Sequence, residues 1–224
     1  MTSKWHWLVP GGLIGLSLVP VAAGSARLAQ LTSGAQVTAA NERFFTTPLP
    51  VVLHIVSATV FCLLGALQFS TTLRRRAWHR RAGRVVAPAG MVAAVSGLWM
   101  TVFYNLPASD NQMLEGIRLF VGFGMLASLT LAVRRVWHHD FVAHRNWMMR
   151  SYALGIGAGT QVLTNLPWVL LYGTPSPSVR AGLMGAGWAI NLAVAEWFIR
   201  NHPAPVPPGD RIPSSRRSED AVPS

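Results

Sequence analysis

Among the ionisable and amide side chains inside long apolar runs of this chain, six stand out: His54, Arg118, Gln161, Asn165, Asn191 and Glu196. A polar group in hydrocarbon costs several kcal/mol unless it is paired, so each of these marks either chemistry or a specific contact. At 1.5 Å of helical rise per residue, His54 and Arg118 each fall about five residues into their runs from the same side, with Asn165 near that level. Together they can line an outward-facing polar pocket in which Arg118 receives an anionic group and His54 exchanges a proton. The other reading has Arg118 snorkelling to the headgroups while His54 donates to a carbonyl on a neighbouring helix. Gln161 and Asn191 sit near the middle of their runs, where amides either staple two helices or bind a substrate. Glu196 lies toward the opposite end, within reach of Arg150, Arg145 or Arg80. There it reads as a packing ion pair, and as the best proton carrier should the protein be a transporter or enzyme.

Histidines raise the question of haem. A b-type haem in a helical bundle takes two imidazoles at one depth from facing helices, which singles out His79 and His144 as candidate ligands. Both fall in arginine-rich stretches expected at an interface, where histidine is ordinary. Zinc or copper at His138, His139, Asp140 and His144 is disfavoured, because metal sites need ligands pre-arranged by a rigid outer shell, and no metal is assigned. The lone cysteine, Cys62, lies in an apolar run and reads as a core group. The sequence has no phosphate loop, serine elbow, paired zinc histidines or CxxC. The runs also lack the paired aspartates that a magnesium and diphosphate chemistry would need.

Apolar runs must position these groups. Hydrophobic residues make up 51% of the 224-residue chain and charged residues only 12%, half the share of an ordinary soluble domain. About 20 apolar residues cross a bilayer as a helix, and six segments approach that: 7–27, 49–70, 85–104, 113–133, 151–172 and 181–199. The fold class is therefore an all-α integral membrane bundle. The net charge of +11 comes from arginines clustered between the runs, which points to headgroups and topology rather than to nucleic acid. One side carries Lys4, Arg74, Arg75, Arg76, Arg80, Arg81, Arg84, Arg134, Arg135, Arg145, Arg150, Arg200, Arg211, Arg216 and Arg217; the other has Arg27, Arg43 and Arg180, with Arg118 just inside a run. By the positive-inside rule both termini are cytoplasmic, and the interhelical arginines contact anionic headgroups on that face.

Residues 1–200 form one transmembrane domain, and 201–224 read as a disordered cytoplasmic tail rich in proline and serine. Pro10, Gly11, Gly12 and Pro20 interrupt the first run, and Ala-Gly-Ser-Ala near residue 23 resembles a cleavage site. Residues 28–47 form an outer loop with a surface-lying piece around Phe44 and Phe45. Pro88 suits the first turn of the third span. Arg75-Arg76-Ala77-Trp78-His79 echoes Arg134-Arg135-Val136-Trp137-His138, either as a duplicated two-helix unit or as convergence at one interface.

Asn41-Glu42-Arg43-Phe44, PLPVVLHI around His54, GALQF at 65–69, HRRAGR at 79–84, SGLWM at 96–100, HRNWMMRSYA at 144–153, GAGTQ at 157–161 and INLAVAEW at 190–197 together resemble a family of bacterial membrane proteins, domain of unknown function 2306. The resemblance covers about residues 41–200 and implies a compact multi-helix membrane protein without an assigned reaction. The reading from residues is a binding or accessory protein of the bacterial plasma membrane, which a homo-oligomer would also suit. A haem-carrying electron-transfer protein and a small transporter or membrane enzyme are its alternatives.

Overall fold

The computed structural model describes residues 7–74, 77–105 and 107–202, and these are all helix and turn. The helices are α1 (Leu8–Thr32), α2 (Glu42–Thr46), α3 (Pro48–Leu67), α4 (Thr71–Arg74), α5 (Ala77–Phe103), α6 (Gln112–Trp137), α7 (Phe141–Gly155), α8 (Gly157–Tyr172) and α9 (Pro177–Asn201). Local chemistry sets several starts. Asn111, Asp140 and Ser176 cap α6, α7 and α9 by accepting the amide protons of Leu114, Ala143 and Val179. Pro48 and Pro177 occupy first-turn positions where a missing N–H costs nothing.

Five helices, α1, α3, α5, α6 and α9, are long and apolar enough to cross a membrane. The pair α7 and α8, bent by 42° at Ile156, passes the same test as one interrupted segment. Connectivity carries that pair from one end of the bundle to the other, so the spans number five, or six with the bent pair taken as one. α7 follows α6 by a tight turn, with His139 in the left-handed region at φ 58°, and α8 ends four residues before α9, whose first turns meet the start of α6. The protein is thus a multi-pass membrane bundle whose outer surfaces face lipid.

α3, α5, α6 and α7 pack in that order around the core, and α1, α8 and α9 flank it. Phe61, Val86, Leu129 and Tyr152 fill the interior, with the Phe61 and Tyr152 rings 5.6 Å apart. The Tyr152 hydroxyl donates to the Cys62 carbonyl at 2.8 Å, so even the buried phenol is paired. α1 and α9 bury little of themselves, as expected of helices that trade protein contacts for lipid.

Four expectations change. The third span begins at Ala77 rather than 85, because the HRRAGR stretch continues the helix, arginine being a good helix former. Pro88 is consequently interior to α5 and not in its first turn. The fifth crossing likewise starts at Phe141 rather than 151, which puts His144, Arg145 and Arg150 on a helix instead of in a loop. The described parts of the basic echo fall at different places on their helices: Ala77-Trp78-His79 opens α5, whereas Arg134-Arg135-Val136-Trp137 closes α6. Arg75, Arg76 and the tail beyond 202 lie outside the described residues. A short helix, α2, does carry Phe44 and Phe45.

Candidate binding cavity

A cavity of about 500 Å³ occupies the half of the bundle where α3, α6 and α9 begin. Its walls come from α1 (Ser17, Val21), α3 (His54, Ala58), α5 (Gly97, Thr101) and α6 (Val121, Gly122), and most of that surface is apolar. Its floor lies where α7 gives way to α8, at Gly155 and Ile156, closed from the sides by Phe61, Met125 and Trp188. The helix break has a cost that side chains offset. Carbonyls near it find donors in Trp188 Nε1, 3.2 Å from Leu154 O, and in Asn191 Nδ2, 3.1 Å from Ala153 O.

The mouth is charged. Arg118, in the second turn of α6, points back toward the helix N-terminus, as helical side chains do, and donates to Asp110 Oδ2 at 2.7 Å. Arg180 of α9 donates to the other Asp110 oxygen at 3.0 Å. The Asp110 side chain is 2% exposed, so a single buried carboxylate joins two guanidinium groups. Arg43 lines the mouth beside them: its NH1 donates to Asn105 O at 3.3 Å and its guanidinium stacks on Phe44, 4.6 Å from the ring centre. Arg27 stacks on the same ring at 4.5 Å. Burial holds the Arg43 pKa below the usual arginine value, and repulsion from Arg27 and Arg118 works in the same direction against the pull of Asp110.

His54 and Arg118, expected at one depth, do line one cavity. His54 nevertheless makes the neighbour-helix bond of the second reading: Nδ1 lies 2.9 Å from Ala93 O. With the proton on Nδ1 for that bond, Nε2 is left as an acceptor. Gly97 makes this possible, since a Cβ there would sit 3.2 Å from the ring carbon Cε1. Asn165 does not join the lining; it donates to Gln161 O, one turn back in its own helix, at 2.8 Å.

The two mid-span amides do not pair with each other. Gln161 lines the cavity and donates to Met184 O at 3.3 Å, while Asn191 accepts from Thr160 Oγ1 at 2.7 Å. Each ties α8 to α9 through a different partner. Glu196 is at the other end of the bundle, held by both Arg150 Nε at 2.5 Å and Arg150 NH2 at 3.1 Å, with that guanidinium over Trp147.

His79 and His144 occupy the first turns of α5 and α7, away from the cavity, and His144 Nδ1 lies 2.8 Å from Ala132 O. Among the described residues no three histidine, cysteine or acidic side chains converge as metal ligands would. Arg80, Arg81 and Arg84 in α5, Arg134 and Arg135 ending α6, and Arg145 and Arg150 in α7 collect at this same end, where Arg135 meets Asp140 at 3.2 Å. The sequence reading missed Asp110, which lies in a loop and outside every apolar run, and took Arg27, Arg43 and Arg180 only as topological exceptions. Their being exceptions was the available signal.

Fold and cavity together define a multi-pass helical membrane protein with a largely apolar cavity bordered by arginines at one end. Residues 51–199 match the family described as predicted membrane protein, DUF2306, and the chain belongs to that family. The match spans α3 to α9 and so includes Asp110, Arg118 and Arg180, but begins at 51 rather than 41 and omits Arg27 and Arg43. No curated protein and no solved structure matches the chain.

Proposed function

We propose that this is a membrane-embedded binding protein for an amphiphilic anion, whose apolar part enters the cavity and whose charged end meets Arg43 and Arg118. The observation that carries the reading is the pairing of a mostly apolar chamber, of a volume ordinary for small-molecule sites, with guanidinium groups at its mouth. His54 Nε2 supplies an acceptor midway for a hydroxyl or a proton. In this reading both termini are cytoplasmic, the mouth faces out of a bacterial plasma membrane, and the opposite arginines, among them Arg80, Arg81, Arg84, Arg134 and Arg135, engage anionic headgroups on the cytoplasmic face.

The test is calorimetry on the full chain in phosphatidylcholine nanodiscs, titrated with dodecanoate and with dodecyl phosphate. Saturable binding of either at one site per chain, weakened by Arg118→Gln, supports the reading. Nonsaturable partitioning that the substitution leaves unchanged overturns it. A transport role is the second reading, favoured by the interrupted crossing at the cavity floor, a device that transporters use at their binding sites. Counterflow of bound ligand across vesicles would support it, and binding without exchange would exclude it.

A further inference from the structure

The cavity end of the bundle carries four arginines among the described residues, Arg27, Arg43, Arg118 and Arg180. They belong to α1, α2, α6 and α9, yet all gather around one carboxylate and one ring. Both oxygens of that carboxylate, Asp110, are already taken, at 2.7 and 3.0 Å. Glu42 and Glu115 share this end of the bundle, but Glu42 is exposed and both ion pairs recorded here use Asp110. Arg118 and Arg180 pair with that carboxylate, while Arg27 and Arg43 meet only the Phe44 ring and neutral oxygens, so two of the four guanidinium groups have no ion pair among the described residues. Such a cluster repels itself, and the repulsion grows as the dielectric falls. It stands, moreover, on the side where a membrane chain ordinarily avoids arginine.

Shape adds to charge. Arg43 and Arg118 line the cavity from different elements, and Arg27 and Arg180 meet the same ring and the same carboxylate. A carboxylate head is planar, carries one charge and offers two oxygens. A phosphate monoester carries about −1.5 to −2 at pH 7 and spreads three oxygens over a tetrahedron, matching guanidinium forks that arrive from separate directions. We infer that the ligand of this cavity is a lipid-type phosphate monoester, its phosphate held by Arg43 and Arg118 and its hydrocarbon lying along His54 and Ala58 toward the floor. This rests on the binding reading above and sharpens it to one chemical class.

The experiment compares three probes on the full chain in phosphatidylcholine nanodiscs: dodecyl phosphate, dodecanoate of the same chain length, and inorganic phosphate. Dodecyl phosphate should bind about tenfold or more tighter than dodecanoate at pH 7.5, as one added charge-assisted contact provides. The gap should narrow toward pH 5, where the monoester holds one charge. Arg43→Gln should weaken dodecyl phosphate several-fold more than dodecanoate and so remove most of the gap. Equal affinity for the two amphiphiles overturns this inference and leaves the binding reading standing. No saturable binding of either overturns both. Inorganic phosphate competing as well as dodecyl phosphate keeps the phosphate site and discards the hydrocarbon part. Because Arg43→Gln touches no ion pair, a folded variant is expected, and Arg43→Lys serves as a second probe by keeping the charge and losing the fork.

Discussion

Arg180 and Asp110 lie 70 residues apart in sequence and 3.0 Å apart in space, and their contact joins the start of the last helix to the loop before α6. With Arg118 on its other oxygen, Asp110 acts as the tie that joins α6 to α9 beside the mouth of the cavity. It also sets which way Arg118 faces, and so belongs to the cavity as much as to the fold.

Asp110→Asn should therefore lower both stability and ligand affinity. A buried charged contact broken from one side leaves its partners unpaired, but Arg118 and Arg180 keep 24% and 35% exposure, so solvent screens much of the loss. A loss of about 1–3 kcal/mol is expected, read as a lower thermal midpoint in detergent. Arg180→Gln should lose less, since Arg118 still neutralises the carboxylate.

Filling the chamber should separate binding from folding. Ala58→Phe places a ring into space that the cavity now occupies. Binding of dodecyl phosphate should disappear while the thermal midpoint holds or rises, because filling existing space avoids overpacking. Unchanged affinity would show that the ligand does not enter there.

Asn191 tests the α8–α9 seam. Asn191→Leu removes the bonds to Thr160 and Ala153 at once, and bonds of this kind between membrane helices are worth about 0.6 kcal/mol on average and up to about 1.7. A combined loss of about 1–2 kcal/mol is expected. Hydrogen exchange should rise near residues 153–160 and stay level in α5. A uniform rise would mean that the two flanking helices do not open separately from the core.

Glu196 and Arg150 form a two-pronged pair whose side chains are 32% and 27% exposed. Glu196→Gln should cost about 1 kcal/mol or less, with salt narrowing the difference between variant and parent. Both carboxylate oxygens of Glu196 accept from Arg150, at the end of the bundle opposite the cavity. The variant should consequently leave ligand binding at the far mouth untouched. Loss of binding in a stable Glu196→Gln protein would move the functional centre to the basic end.

Much of the fold could be read from residues alone, because hydrocarbon imposes a coarse rule: long apolar runs became α1, α3, α5, α6 and α9 within a few residues at most ends. Starts next to arginine were misplaced. Apolarity ends at Arg84, but the backbone at Ala77 is already helical, since snorkelling side chains let a helix continue past the hydrocarbon. The break at Ile156 was hidden, as Gly155 and Gly157 looked like small residues for close packing rather than places where Phe61 and Trp188 need room. Of the candidate site, His54 and Arg118 were visible through their depth. Asp110 was not, because a lone acid in a polar loop has no periodicity to betray it, and only tertiary structure brings Arg43 and Arg180 beside it.

The interruption at Ile156 has a geometric consequence. A continuous rod would carry α8 straight on from α7; the 42° bend instead turns it to pack against α9 and α1, and the cavity occupies the space opened between α8 and the central helices.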